Sequence, residues 1–399
     1  MQLSPKQDEA VQDVRRWIKS PDSPYYYLAG AAGTGKTTIT KTLVEALDGL
    51  VSFAAYTGKA AFNMVRSGCV GATTIHKLIY KPREKSRQEL KRLELMLVER
   101  GEDHPEAEGI RRAIEIERQT LSKPSFALNE QSQAIHSKLI VVDEVSMVDG
   151  RIAGDLLSFG VPLLVIGDPF QLPPVKGTGF FTTRQPNMFL TEIHRQARDN
   201  PIIQLATEVR EGRALSLGDY GESRVVHEQD ERIRTDVTST DQVLVGMRKT
   251  RARYNERMRQ LAGRDGALPV PGDKLVCLRN DHEESLMNGS LWTVEQVGDH
   301  DPQERQVYMT LRSADDPDRT YPLECWVWTE PLSTGESIWD RDAPAQSFTY
   351  GYALTVHKAQ GSQWDDVVVF DESGVFRENT KRWLYTAVTR AAKRVTVVR

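Results

Sequence analysis

The sequence predicts an α/β protein built on two parallel-sheet cores, each carrying an insert of different character. Three observations lead there. Short, continuous apolar runs alternate with helical patterns in the N-terminal half, and a second such series closes the chain. Two stretches break the alternation, one dense in Glu, Arg, Lys and Leu, the other full of turn residues between short β-type runs. The 399 residues suit two or three domains, and 39% hydrophobic side chains suffice for sizeable cores.

Taken in order, Tyr25–Ala29, Val51–Ala55, Leu139–Val142 and Leu163–Ile166 are apolar without alternation, as strands buried on both faces should be. Helices are expected at Thr37–Leu47 and Lys59–Val65. Pro82–Lys123 has Leu90, Leu93 and Leu97 at helical spacing and a break at Gly101–Pro105, so it reads as a helical hairpin. The later series is Gln242–Val245 before a basic helical stretch, then Val367–Phe370 and Val395–Val398. From about 266 to 340, Gly272-Asp273 and Asn288-Gly289 separate runs such as Leu275–Leu278 and Leu291–Val294. Asn-Gly between such runs signals a hairpin, and a small SH3-like β-barrel is expected. The division expected is 1–81 with 136–184 as the first core, 82–135 as its insert, 185–265 with 341–399 as the second core, and 266–340 as the barrel.

Composition excludes several classes. Cys69, Cys277 and Cys325 are odd in number and far apart, against a disulfide framework or a Cys-rich zinc site. No stretch approaches the roughly 20 apolar residues of a membrane span, and Met1–Trp17 lacks a signal peptide's apolar centre; a cytoplasmic protein is expected. The net charge of −4 does not mark a nucleic-acid binder, although a groove can be locally basic on an acidic body.

Gly30-Ala31-Ala32-Gly33-Thr34-Gly35-Lys36-Thr37 follows a buried strand and, with Thr38, opens a helix. Its glycines let backbone N–H groups close around phosphate, at a helix end that adds partial positive charge. Lys36 would reach the β- and γ-phosphates of ATP, and the Thr37 hydroxyl would coordinate Mg2+. Asp143-Glu144 ends a strand: Asp143 can hold the magnesium while Glu144 orients and deprotonates water. The pair favours hydrolysis over transfer to an acceptor, because a kinase has no need of a water-activating Glu there.

The remaining segments resemble superfamily 1 helicases of the 5′→3′ branch, the RecD-like and Dda-like enzymes. They are Leu3-Ser-Pro-Lys-Gln7, the P-loop, Thr57-Gly-Lys59-Ala-Ala61, Ala72-Thr-Thr-Ile-His76, Asp143-Glu-Val-Ser-Met147, Gly167-Asp-Pro-Phe-Gln171-Leu-Pro-Pro174, Leu190-Thr-Glu-Ile-His-Arg195, Thr355-Val-His-Lys-Ala-Gln-Gly-Ser362 and Tyr385-Thr-Ala-Val-Thr-Arg390. Singly weak, jointly specific, they span nearly the whole chain. The resemblance implies two RecA-like cores and ATP-driven unwinding of DNA. It implies that Gln7 reads adenine, that Gln171 couples the γ-phosphate to the first core, and that Gln360 and Gly361 join the ATP site. Arg195 and Arg390 would reach the same phosphate from the second core, where an Arg can stabilise charge spread over equatorial oxygens. Gln363 stands where many relatives carry Glu or Thr, which puts a ribose contact by that side chain in doubt. A 3′→5′ superfamily 1 helicase, and a P-loop ATPase subunit of a recombination complex, are the competing readings.

Single-stranded DNA is expected along hydroxyl, amide and cationic donors offered by both cores: Thr57, Gly58, Lys59, Thr73, Thr74 and His76 from the first, Lys249, Thr250, Asn255, Thr355, His357 and Lys358 from the second. For each alone, helix capping or a solvated face is as good a reading. His357 has no partners at metal-ligand spacing. Trp383 is taken as core, and Trp292, Tyr308, Tyr321, Trp326 and Trp328 as barrel interior rather than base-stacking faces. Pro124–Asn129 alternates and suits a short projecting β-hairpin whose only aromatic, Phe126, would meet the fork of a forked or tailed duplex. A protein active as a monomer is expected.

Overall fold

The apolar runs of the first half become a parallel sheet. In chain order, β1 (Tyr25–Gly30), β2 (Val51–Ala55) and β3 (Thr73–Thr74) are followed by a ribbon of β4 (Tyr80–Pro82) and β5 (Phe126–Leu128), then by β6 (Leu139–Asp143), β7 (Leu163–Gly167) and β8 (Met188–Leu190). The computed structural model describes residues 3–44, 50–82, 88–101, 104–122, 126–191, 200–281, 283–338 and 345–399. The sheet runs β3-β2-β6-β7-β1-β8, all neighbours parallel. Tyr26, Leu28, Leu139, Val141, Leu164 and Ile166 pack under one face; Tyr27, Ala29, Ile140, Val142, Leu163 and Val165 pack under the other. Both faces are dry, which is why these runs show no polar alternation.

The sixth strand moves a boundary. Met188–Leu190 pairs with Leu28–Gly30, so the first core extends past the expected 184 to Leu190. Three residues are too few for periodicity to reveal a strand.

The second core follows with β9 (Gly218–Tyr220), β10 (Ser223–Val226) and β11 (Gln242–Val245). Next come β12 (Lys274–Cys277), β13 (Leu291–Asp301), β14 (Gln306–Ser313), β15 (Leu323–Trp328) and β16 (Phe348–Tyr350), then β17 (Ala353–Thr355), β18 (Trp364–Phe370) and β19 (Ala391–Val398). Its sheet, β17-β11-β18-β19-β10-β9, is parallel except for the β9–β10 hairpin. The antiparallel sheet β15-β14-β13-β12-β16 curls back on itself at Gln346, whose N–H donates to Trp326 O at 2.7 Å and whose carbonyl accepts from Trp328 N–H at 3.0 Å. Because β16 completes it, this unit reaches Tyr350 rather than 340. Trp292, Met309 and Phe348 fill its interior. Of the five aromatics expected inside, only Trp292 is fully buried; Tyr308, Trp326 and Trp328 are half-buried and Tyr321 is exposed. The buried pair Arg259–Asp273, at 3.0 Å, fastens this unit to the helix Arg248–Leu261 of the second core.

The helical hairpin of the first insert is Gln88–Arg100 packed on Ala107–Ser122. It sits between β4 and β5, so the hairpin expected around Phe126 is not self-contained. Phe126 lies opposite Pro82, and the helices make the connection. The chain after β5 gives no return strand because it winds into a 3-10 turn, Gln133–His136, capped by Ser132. Among the described residues no helix is long and apolar enough to cross a membrane, and no group of three or more His, Cys, Asp or Glu is placed to hold a metal.

Candidate functional site

In the first core the P-loop, Asp143-Glu144 and Gln171 follow the carboxyl ends of parallel strands, where open α/β sheets offer loops and helix N-termini; from the second core, Gly361 and Arg390 come from just before β18 and β19. β1 ends at Gly30, and the loop into the helix Lys36–Val44 carries Gly33 and Gly35 at φ 80° and 74°. That left-handed backbone is cheap only for glycine. At Gly30 itself a Cβ would stand 2.6 Å from Thr34 Oγ1, which donates to Ala31 O at 2.8 Å. The Lys36 ammonium lies across the loop, donating to the carbonyls of Gly30 (2.8 Å) and Ala31 (3.0 Å). The side chains of Thr37 and Thr38, and Arg195 as a whole, lie outside the described residues.

β6 delivers Asp143 beside this loop. Burial, and then the neighbouring charge of Glu144, push its carboxyl up to about 6. A hard carboxylate oxygen whose ionised form needs a counter-charge fits Mg2+. Glu144 stands at φ 54°, ψ 46°, a conformation that non-glycine residues hold only where the surroundings enforce it. The end of β7 helps to enforce it: a Cβ on Gly167 would come 2.8 Å from Val145 Cγ2. Beyond β7, Gln171 is buried and its Oε1 has no hydrogen-bond partner.

The second core closes the other side. Arg390, just past the helix Thr380–Val388, is buried and donates to Thr386 O (3.1 Å), Ser362 O (3.1 Å) and Thr389 Oγ1 (3.4 Å). A cleft of about 760 Å³ is walled by Ala32, Gly33, Gly35, Lys36, Asp143, Glu144 and Gln171 from the first core and by Gly361, Ser362, Gln363 and Arg390 from the second. Gln360 donates to Leu172 O at 3.0 Å, and Asn63 to Gly361 O at 3.1 Å, so the two cores touch beside it. Gln7 is tied behind the P-loop: its amide donates to Thr34 O at 3.0 Å and accepts from Ser4 N–H at 2.9 Å.

The candidate track residues follow the edge strand of each sheet and its neighbour, β3 and β2 in one core and β17 and β11 in the other. Thr57, Thr74 and Thr355 are N-caps, accepting from Ala60 N–H (3.1 Å), Lys77 N–H (3.2 Å) and Lys358 N–H (3.4 Å). A hydroxyl that accepts still has its own proton to donate, so capping and phosphate binding are compatible. Thr73 precedes Thr74 and is half-buried. Burial lowers the pKa of both His76 and His357, favouring the neutral ring. His76 stacks edge-on toward Phe126, 6.1 Å between centroids, which joins the track to the β4–β5 ribbon. Lys249 is exposed, whereas the Thr250 hydroxyl donates to Glu372 at 2.6 Å.

Two track residues face elsewhere. Asn255 is buried and spends its amide on the backbone of Ala353, at 3.2 and 2.7 Å. Lys59 points into the cleft between the cores and pairs with Asp315 at 2.7 Å, both side chains almost inaccessible. A third contact comes from the five-stranded unit: Lys358 Nζ donates to Asn288 Oδ1, and a Cβ on Gly58 would meet Met287 Cβ at 3.1 Å. Burial pulls the Lys358 ammonium down to about 8. Sequence reasoning missed Asp315, which no local pattern marks, and the hydroxyl of Tyr385, which lay inside a recognised segment.

Comparison with known proteins agrees with this geometry. The AAA domain family matches residues 2–231, and the UvrD-like helicase C-terminal domain matches residues 350–398. The chain is 28% identical over 395 residues to the ATP-dependent RecD2 DNA helicase of Deinococcus radiodurans, covering 92% of this chain and 46% of that one. It is 27% identical over 426 residues to the RecBCD enzyme subunit RecD of Mycobacterium tuberculosis, covering 93% and 66%. It therefore spans from about half to two thirds of these relatives' length. The crystal structure of the Pif1 helicase from Candida albicans shares the fold over 100% of this chain and 94% of its own, with TM-score 0.55 and 19% identity. A P-loop, a cleft shared by two cores and these matches agree: the chain belongs to the AAA domain family, and its sequence is similar to RecD2 and RecD.

Proposed function

We propose that this protein hydrolyses ATP between its two RecA-like cores and uses the cycle to move 5′→3′ along single-stranded DNA and unwind duplex ahead of it. The observation that carries the reading is the shared cleft, with Lys36, Asp143, Glu144 and Gln171 on one wall and Arg390 on the other. Water attacks the γ-phosphorus as the bond to the β,γ-bridging oxygen breaks. Glu144 takes the proton, Lys36 and Arg390 meet charge on the phosphoryl oxygens, and Gln171 reports the γ-phosphate to the first core. Arg195 is assigned beside Arg390. Asp143 and Thr37 would hold Mg2+, which neutralises phosphate charge when bound. ATP contacts are assigned to Gly30–Thr38, Gln360 and Gly361, with adenine read near Gln7.

DNA is held without sequence readout by Thr57, Gly58, Thr73, Thr74, His76, Lys249, Thr250, Thr355, His357 and Lys358. Phe126, 47% exposed at the ribbon beside His76, is the strand-separating face. The five-stranded unit is the SH3-like insert, and the protein works as a cytoplasmic monomer. The reading is tested by ATP hydrolysis with and without single-stranded DNA. Strong stimulation supports it, and turnover indifferent to DNA overturns it.

A further inference from the structure

The helix Thr380–Val388 belongs to the second core, yet it hydrogen-bonds into the first. Tyr385 is the centre of these contacts. Its hydroxyl donates to Asp168 Oδ2 at 2.6 Å and accepts from Ala32 N–H at 2.9 Å. The residue is 2% exposed, and its ring lies edge-on to Phe170, 6.0 Å between centroids. The next residue, Thr386, accepts from Leu172 N–H at 2.9 Å.

Both partners of the phenol lead into the cleft. Asp168 is fully buried and builds the turn that carries Gln171: Oδ1 accepts from Phe170 N–H at 3.0 Å, and its carbonyl from Gln171 N–H at 3.2 Å. Ala32 lies in the P-loop, four residues before Lys36. The guanidinium of Arg390 is anchored on Thr386 O, one residue along from the phenol. A single hydroxyl thus ties the loop before Lys36 and the turn bearing Gln171 to the helix end that carries Arg390. Losing it strips a donor from a buried carboxylate, which is costlier than losing a surface bond. Misplacing groups around a reacting phosphate by a fraction of an ångström is enough to slow the chemical step.

We propose that Tyr385 is a positioning residue for ATP hydrolysis, registering the P-loop and, through Asp168, Gln171 against Arg390. The assignment rests on the ATPase reading of the cleft. Tyr385→Phe deletes the hydroxyl and keeps the ring against Phe170. With saturating single-stranded DNA, kcat is expected to fall about tenfold or more, while KM for ATP and nucleotide-free DNA affinity stay within about twofold. Trp383→Phe is the structural control, since Trp383 is buried in the same helix and its Nε1 has no partner. It should lower the melting temperature and spare kcat.

Three results would overturn the proposal: an unchanged kcat in Tyr385→Phe, a loss carried by KM alone, or an equal kcat loss in Trp383→Phe at matched stability. Asp168→Asn reads the same link if Tyr385→Phe does not accumulate, and the double variant should be no slower than the slower single one. An absence of DNA-stimulated turnover in the parent is a different result. It removes the ATPase reading itself, and this assignment with it.

Discussion

Replacing Gly361 by alanine should slow DNA-stimulated ATP turnover at least tenfold. Gly361 has φ +81°, where a Cβ costs about 1–2 kcal/mol. The added methyl would stand 2.5 Å from Thr57 Oγ1 and 3.2 Å from Ala60 Cβ. Thr57 is the N-cap of the helix Gly58–Arg66, so turning its hydroxyl aside forfeits about 0.5–2 kcal/mol more. The combined cost of about 1.5–4 kcal/mol falls on the arrangement in which the Gln360–Ser362 turn meets Thr57–Ala60, and each 1.4 kcal/mol is about a factor of ten. Gly263→Ala is the control: φ is +68°, and a Cβ there meets nothing within 4 Å. It should lose only the backbone term, seen in urea unfolding, with turnover intact. Steady-state hydrolysis at saturating DNA measures both. Turnover of Gly361→Ala within about threefold of the parent, or equal losses in the two variants, would refute the argument that core-to-core contact at Gly361 matters.

Lys36→Ala should abolish nucleotide binding, whereas Glu144→Gln should bind ATP and scarcely hydrolyse it; a fluorescent-nucleotide titration beside a turnover assay separates the two. Arg390→Ala should lower turnover by about a thousandfold, the scale of an arginine finger, with nucleotide-free DNA affinity near that of the parent. Loss of DNA binding with intact hydrolysis would move Arg390 to the track. Phe126→Ala should slow strand displacement several-fold and leave DNA-stimulated hydrolysis alone, since a stacking face contributes about 1–3 kcal/mol; equal unwinding rates would leave the wedge unassigned.

What was legible in the sequence depended on how local the cause was. β1, β2, β6, β7 and β11 stood out because both of their faces are buried. The strand–loop–helix of the P-loop and the Asp143-Glu144 strand end were legible because consecutive residues build them. β8 and β16, three residues each, are strands only through partners more than 70 residues away, Leu28–Gly30 and Leu275–Cys277. Side-chain direction was hidden for the same reason. Lys59 carries the right charge for DNA, but Asp315, 256 positions on, draws it into the cleft between the cores. Asn255 had the right chemistry for a backbone clamp, yet the start of β17 at Ala353 consumes it. The ribbon of β4 and β5 escaped because a helical pair separates its strands.

The central claim is directional unwinding driven by ATP, and strand displacement on tailed duplexes tests it most directly. Duplexes carrying only a 5′ or only a 3′ single-stranded tail are mixed with the protein, ATP and magnesium. The account predicts displacement from the 5′-tailed duplex and none with Glu144→Gln. Unwinding solely from the 3′ tail, or none from either while ATP is consumed, would contradict it.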